Sequence, residues 1–327
     1  MNKRTLEKIL GEIVSQPTAP FHEYHVRGAI QESLKGIKEI RLMEDGFGNL
    51  IAHYKKGRSK PQWALGAHMD HPAWVRTKGG GMEFLGGVPE AHRAANIEKI
   101  VWYEGFGMWD LPAYERYNGS VVSRACDDLV GCAISVAVLH EMARREIPAN
   151  FFALFTRAEE VGFIGIHHML DEGSYPADVT FLSLETSAMV DGAKRDGGPV
   201  IRVGDRLSAF DHGSVALLDG LAKELTIPHQ RLLLDRGACE ASAVLAHGFP
   251  AAGISILLDN YHNCGPGTSI LAERVEVEDI VRVIRLLVAL LEGQHSPDHG
   301  QKLRERMDLL EQKNAVHEIT ARACWPQ

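Results

Sequence analysis

Residues 151–165 read FFALFTRAEEVGFIG. The short apolar run with aromatic residues predicts a buried parallel strand, and it delivers two adjacent carboxylates, Glu159 and Glu160, at its carboxyl end. That end of an open α/β sheet is where such folds keep their sites. Adjacent side chains leaving a strand point to different sides, so one glutamate is free to ligate a metal while the other faces a bound water as a base. An isolated Glu-Glu pair is more often a solvated loop, and the remainder of the chain decides between the two readings.

Toward the amino terminus, a strand at 63–67 ends in GAHMDHP (66–72). His68 and Asp70 then share one face at a strand terminus, with the carboxylate placed to hold the far nitrogen of the imidazole. ACDDLVG (125–131) runs into a long apolar helix; Asp128 there reads equally well as an N-cap, a role that explains Asp127 less well. Toward the carboxyl terminus, a helix follows the glutamate pair, a strand at 178–184 ends in Glu185, and a strand at 251–258 runs into DNYHN (259–263) with His262. Helices are expected at 5–16 and up to about 37, a hairpin at 40–54 around DGFGN, and a closing helix at 276–292. GGPVIRVGD (197–205) reads as a hairpin or edge piece, and the charged stretch from His295 onward as a partly helical surface or partner-binding tail.

Strands alternating with helices predict an α/β protein with a mostly parallel central sheet and helices on both faces. Residues 73–120 interrupt it: they are glycine-rich in TKGGGMEFLGG and lack a long amphipathic helix, which predicts a small β-rich insertion between catalytic segments 1–72 and 121–327. The net charge of −8 over 327 residues argues against a nucleic-acid partner. The first ten residues are charged throughout, so neither a secretory signal nor a membrane span is expected there. Five cysteines with no CxxC pair fit reduced thiols and a cytoplasmic protein.

His68, Asp127, Glu159, Glu160, Glu185 and His262 thus fall at successive strand ends. Two histidines, three carboxylates and one spare glutamate suit two zinc-like ions bridged by one carboxylate, with cobalt and manganese as alternatives. The spare glutamate can take a proton from a shared water and pass it to a leaving amine, so amide hydrolysis is the natural chemistry.

In the motifs QPTAPFHEYHV, DGFGNLIAHYKKG, GAHMDHP, ACDDLVG, RAEEVGFIG, GGPVIRVGD, IPHQ and YHN, the chain resembles the cocatalytic dimetal aminopeptidases of the glutamyl or tetrahedral aminopeptidase type. The resemblance implies His68 and Glu185 on the first ion, Asp127 bridging, Glu160 and His262 on the second, Glu159 as general base, and Asp70 orienting His68. It also implies a cis peptide after Asp127, short peptides as substrates and a homo-oligomer. The insertion is shorter than the PDZ-like domain of relatives, which leaves the number of copies open. Three positions depart from the family pattern: Glu185 stands in place of an aspartate, His71 in place of an acid, and RGACEA (236–241) in place of a GGTDA-like segment. A deacylase or carboxypeptidase of the same metal chemistry shares every motif, and a non-catalytic binding homologue is the reading from another class.

Overall fold

The computed structural model describes residues 1–57, 59–297, 304–310 and 312. The chain opens with α1 (Lys3–Val14) and α2 (Tyr24–Leu34). Leu6, Ile9, Leu10, Ile13 and Val14 bury one face of α1, at the three-and-four spacing of an amphipathic helix. The hairpin β1 (Ile40–Glu44) and β2 (Leu50–Lys55) turns where Asp45 Oδ1 accepts from the backbone N–H groups of Phe47, Gly48 and Asn49. β3 (Trp63–His68) is buried along its whole length. Next come β4 (Ala73–Arg76), β5 (Met82–Leu85), α3 (Glu90–Ala95), β6 (Ile100–Trp102) and β7 (Phe106–Trp109), whose strands form a separate four-stranded sheet. The chain returns through β8 (Glu115–Tyr117) and β9 (Ser120–Ser123) to α4 (Cys126–Arg144), β10 (Asn150–Thr156), α5 (Ile164–Asp171) and β11 (Thr180–Ala188). It finishes with β12 (Val200–Asp205), α6 (His212–Glu224), β13 (Gln230–Leu234), α7 (Glu240–Ala246), β14 (Ala251–Asp259), β15 (Glu273–Glu276) and α8 (Val277–Glu292).

The large sheet has the order β1-β2-β10-β3-β11-β14-β15-β9-β8, with β12 and β13 branching from β14. Its centre is parallel, as expected: β10, β3, β11 and β14 pair in one direction, and antiparallel pairs form the margins. All four carboxyl ends therefore open on one edge. α4, apolar on nearly every side, lies against β3 and β11, with α1, α2 and α8 packed around it. α5 and α7 form a second group, with α7 against β11 and β14.

Several boundaries differ from the expectation. β8 pairs with β9 in the large sheet, so the small sheet ends at Trp109, and α3 adds one short helix to the inserted stretch. β12 is neither hairpin nor edge, since it pairs antiparallel with β14 and parallel with β13. β15 was not expected at all. Of the tail, residues 304–310 are helical and exposed, and most of the rest lies outside the described residues.

Gly66, at the sheet centre, has a steric reason to be glycine: a Cβ there would sit 2.1 Å from Cζ of Phe181 on β11. Gly66→Ala is expected to cost about 1–3 kcal/mol through overpacking. Urea unfolding would show it as a lowered midpoint with an unchanged slope.

Candidate metal centre

β3 and β10 pair with Thr156 opposite His68, which sets the loop after β10 beside the end of β3. The glutamate pair does not leave the strand directly. Glu159–Val161 is a single 3-10 turn separated from Thr156 by two residues, and this turn, not the strand pleat, sends the two side chains apart. Ala158 and Phe163 on either side adopt positive φ, 52° and 58°. Such a backbone holds only where its surroundings impose it. Here Asn49 Oδ1 accepts from Arg157 N–H, Glu23 Oε1 from Ala158 N–H, and the Asp70 carboxylate from Glu159 N–H (2.9 Å) and Glu160 N–H (3.1 Å). Burial, followed by the charge of Asp70, pushes the Glu23 carboxyl up to about 7, with Arg157 pulling the other way.

Asp70 is engaged differently from the expectation, which had its carboxylate holding His68. The imidazole Nδ1 lies 3.1 Å from the Asp70 backbone carbonyl and 3.5 Å from its carboxylate, whose oxygens are engaged by the two glutamate amides. Glu185 is also placed differently from the expectation: it lies within β11, which continues three residues further, and not at its end. The side chain still reaches the centre, with Glu185 Oε2 3.9 Å from His68 Nε2.

Asp127 sits at the kinked start of α4, joined to Asp128 by a cis peptide. Asp128 Oδ1 accepts from Gly131 N–H at 3.3 Å, so it caps the helix while Asp127 turns elsewhere. Asp127 Oδ1 is 3.6 Å from His68 Nε2, and its Oδ2 is 3.5 Å from His262 Nε2. Glu160 Oε1 is 3.0 Å from His262 Nε2, and Glu159 Oε2 is 3.9 Å from His68 Nε2. All the residues expected in the centre are therefore brought together. Two groups share Asp127, namely His68/Asp127/Glu185 and Asp127/Glu160/His262, and a third joins His68 with Glu159 and Glu160.

The donor set suits divalent cations. Nδ1 of His262 faces the Gly87 carbonyl at 3.0 Å, as Nδ1 of His68 faces that of Asp70, so each ring can keep a proton on Nδ1 and present Nε2 inward. Nε2 of each ring meets carboxylate oxygens, a setting that calls for a cation between them, either a proton on the ring or a metal ion. Asp127 Oδ1, Glu160 Oε1 and His262 Nε2 are buried and have no hydrogen-bond partner among the described residues. Burial disfavours charge on His68 and His262, yet the carboxylates around them outweigh it and raise both well above the usual imidazole range. Burial likewise opposes ionisation of Asp127, but the two imidazoles hold it below the ordinary carboxylate range. Glu185 is pushed up to about 8 by burial, partly offset by His68.

Three features were not anticipated from sequence. Glu273, on β15 and fully buried, accepts from Asp127 N–H (3.0 Å) and His262 N–H (2.8 Å). His71, the position that departs from the family, bonds the Asp127 carbonyl through Nδ1 at 2.6 Å and Asn263 Oδ1 through Nε2 at 3.2 Å. Beside the centre, a cavity of about 220 Å³ runs from Glu185 past Arg202, Gly237 and Tyr261 to Arg236. The signal for Glu273 was in the sequence: in Glu273-Arg274-Val275-Glu276 it alternates in phase with buried Val275, and an acid on the inward phase of a strand needs a partner.

Residues 90–286, well over half of the chain, match the M42 glutamyl aminopeptidase family. A putative aminopeptidase of Acetivibrio thermocellus is 28% identical over 319 residues, spanning 82% of this chain and 92% of that protein. Among solved structures, aminopeptidase APDkam598 from the archaeon Desulfurococcus kamchatkensis superposes with a TM-score of 0.73 at 17% identity, over 91% of this chain and 97% of the other. The TET1 peptidase of Pyrococcus horikoshii, described as assembling into a tetrahedron or a large octahedral shell, gives 0.70 at 18% identity, over 88% and 99%. At these identities the structural likeness speaks for the fold, and the family match speaks for the chemistry. The chain belongs to the M42 glutamyl aminopeptidase family and is a metal-dependent aminopeptidase.

Proposed function

We propose that the chain removes the first residue of short peptides, that the residue it prefers is acidic, and that Arg202 selects it. The observation that supports this is a buried cation without a direct ion pair, favoured only from a distance by charges such as those of Glu185 and Asp205. Arg202 is 3% exposed and lines the cavity beside Glu185; no carboxylate lies within salt-bridge distance of it among the described residues, and its Nε has no hydrogen-bond partner. Its one polar contact is a long one, Nη1 to Ser255 Oγ at 3.5 Å. A guanidinium held this way is costly unless an anion completes it, and a substrate carboxylate in the cavity supplies one. Arg236 at the rim, only loosely held by Asp191 at 3.4 Å, adds positive charge along the entry.

In this reading His68, Asp127 and Glu185 hold one ion, and Asp127, Glu160 and His262 the other, with zinc as the metal proposed. When bound, the ions supply Lewis acidity and lower the pKa of water. Glu159 takes a proton from the attacking water and delivers it to the leaving amine, while Asp70 keeps the Glu159 and Glu160 amides in place. Residues 73–120 are read as an inserted unit that also serves the centre, since the Gly87 carbonyl orients His262. The four described cysteines are free thiols, which supports a reducing, cytoplasmic setting, and the assemblies formed by its structural relatives support a homo-oligomer.

The test is a panel of glutamyl-, aspartyl-, leucyl- and lysyl-nitroanilides alongside N-acetylated peptides, with and without chelator. Hydrolysis is expected to favour the acidic substrates and to stop on chelation. Arg202→Met is expected to lower kcat/KM for the glutamyl substrate roughly ten- to a hundredfold, the weight of a charge-assisted hydrogen bond, and to spare the leucyl one. Preference for acetylated peptides would instead point to a deacylase, and an unchanged glutamyl preference in Arg202→Met would remove Arg202 from the pocket.

A further inference from the structure

Two buried carboxylates hold the centre from below, and they do so in the same manner. Asp70 receives the amides of Glu159 and Glu160; Glu273 receives those of Asp127 and His262, one on each oxygen. The second clamp joins segments that are far apart in the chain, the kinked start of α4 and the turn after β14. The second of these is conformationally demanding. His262 has φ 52°, in the left-handed region that a non-glycine residue adopts rarely, between Asn260 at 57° and Asn263 at 60°, the residue type that tolerates it best after glycine. The clamp itself is presented from a rigid support, because β15 pairs with β9 through Glu273 and Ser123 and with β14 through Val275 and Leu258. Glu273 is fully buried, and no lysine, arginine or histidine lies within salt-bridge distance of it among the described residues. Two amide donors are therefore its compensation, and a carboxylate is the one side chain that accepts from both at once.

We propose that Glu273 is a positioning residue that sets the spacing of Asp127 and His262, and that the second ion site, which draws on both, depends on it more than the first, which draws on Asp127 alone. The reason is geometric. His68 and Glu185 come from β3 and β11, where the sheet itself fixes them. The second site draws its histidine from a strained turn, and Glu273 is the bond tying that turn to the bridging aspartate. The proposal rests on the ligand assignment given under Proposed function.

Glu273→Gln tests it with little change of shape. The amide oxygen still accepts one N–H, but the amide nitrogen meets the other N–H as donor against donor, so one of the two ties breaks. Metal-free wild type and variant are titrated with zinc in competition with a chromophoric chelator, without substrate. Wild type is expected to take two ions; Glu273→Gln is expected to weaken the second affinity by at least about tenfold, the scale on which groups behind metal ligands act, and the first by clearly less. Turnover should fall with the second ion and recover as zinc is raised. Glu273→Asp, which keeps the charge but is too short to reach both amides, should weaken the same site, and it serves as the readout if the glutamine variant does not fold. Two unchanged affinities in the folded variant, or a loss of both sites in equal measure, would overturn the role of Glu273. A wild type that binds fewer than two ions would overturn the ligand assignment itself.

Discussion

Glu159→Gln is expected to lower turnover of a glutamyl-nitroanilide by roughly 10²–10⁴-fold, the usual weight of a general base, while two ions remain bound. The geometry separates the two effects. Glu159 Oε2 stands 3.9 Å from His68 Nε2, whereas the sets His68/Asp127/Glu185 and Asp127/Glu160/His262 are complete without it. The amide of Glu159 stays bonded to Asp70 whatever its side chain, so the substitution leaves the turn in place. Kinetics together with metal content by mass spectrometry decide the matter. An ion lost along with turnover would make Glu159 a ligand, as its place in the third group with His68 and Glu160 allows; turnover near the wild-type rate would move the base elsewhere.

The second large effect is expected at Asp127. Its two oxygens face different histidines, Oδ1 toward His68 at 3.6 Å and Oδ2 toward His262 at 3.5 Å, and it is the member common to both candidate sets. Asp127→Ala is expected to leave less than one ion per chain and no measurable hydrolysis. Glu185→Ala, by contrast, removes a group that belongs to one set only, and about one ion should remain. Equal metal content in the two variants would show that Asp127 does not bridge. Circular dichroism of the metal-free forms separates ligand loss from misfolding, since the backbone ties of Asp127 to Glu273 and His71 do not involve its side chain.

The helix-strand alternation and the buried central strands were legible because periodicity is a local property, and so were the residues of the centre, because each lies on or close after a strand of the large sheet. Glu160 and His262 were identifiable as chemical types at sensible positions, yet nothing local states that their atoms stand 3.0 Å apart. The structural setting of the glutamate pair was misjudged for a physical reason. The turn at 159–161 is imposed by bonds from Glu23, Asn49 and Asp70, none of them a neighbour in sequence, and a strand continuing to Glu160 was the simpler local expectation. Glu185 falls mid-strand because β11 gains pairing with β14 out to Ala188, which residue propensities do not announce.

The supporting carboxylates show the same divide more sharply. Glu273 looks like one acid in a charged stretch, and Arg202 like one base in a strand; burial turns the first into a clamp on the backbones of Asp127 and His262 and the second into a cation without a direct ion pair. Sequence by itself determined the fold class and singled out two histidines, an aspartate and three glutamates at strand ends as candidates for one centre, because residue type and strand position carry that information; their separate roles came from the family resemblance. Tertiary structure alone decided which amides Asp70 and Glu273 hold, that a carbonyl from the inserted segment orients His262, and where the pocket places its arginine. Most of those depend on distances between segments about ninety to a hundred and seventy-five residues apart, which close only when the sheet assembles.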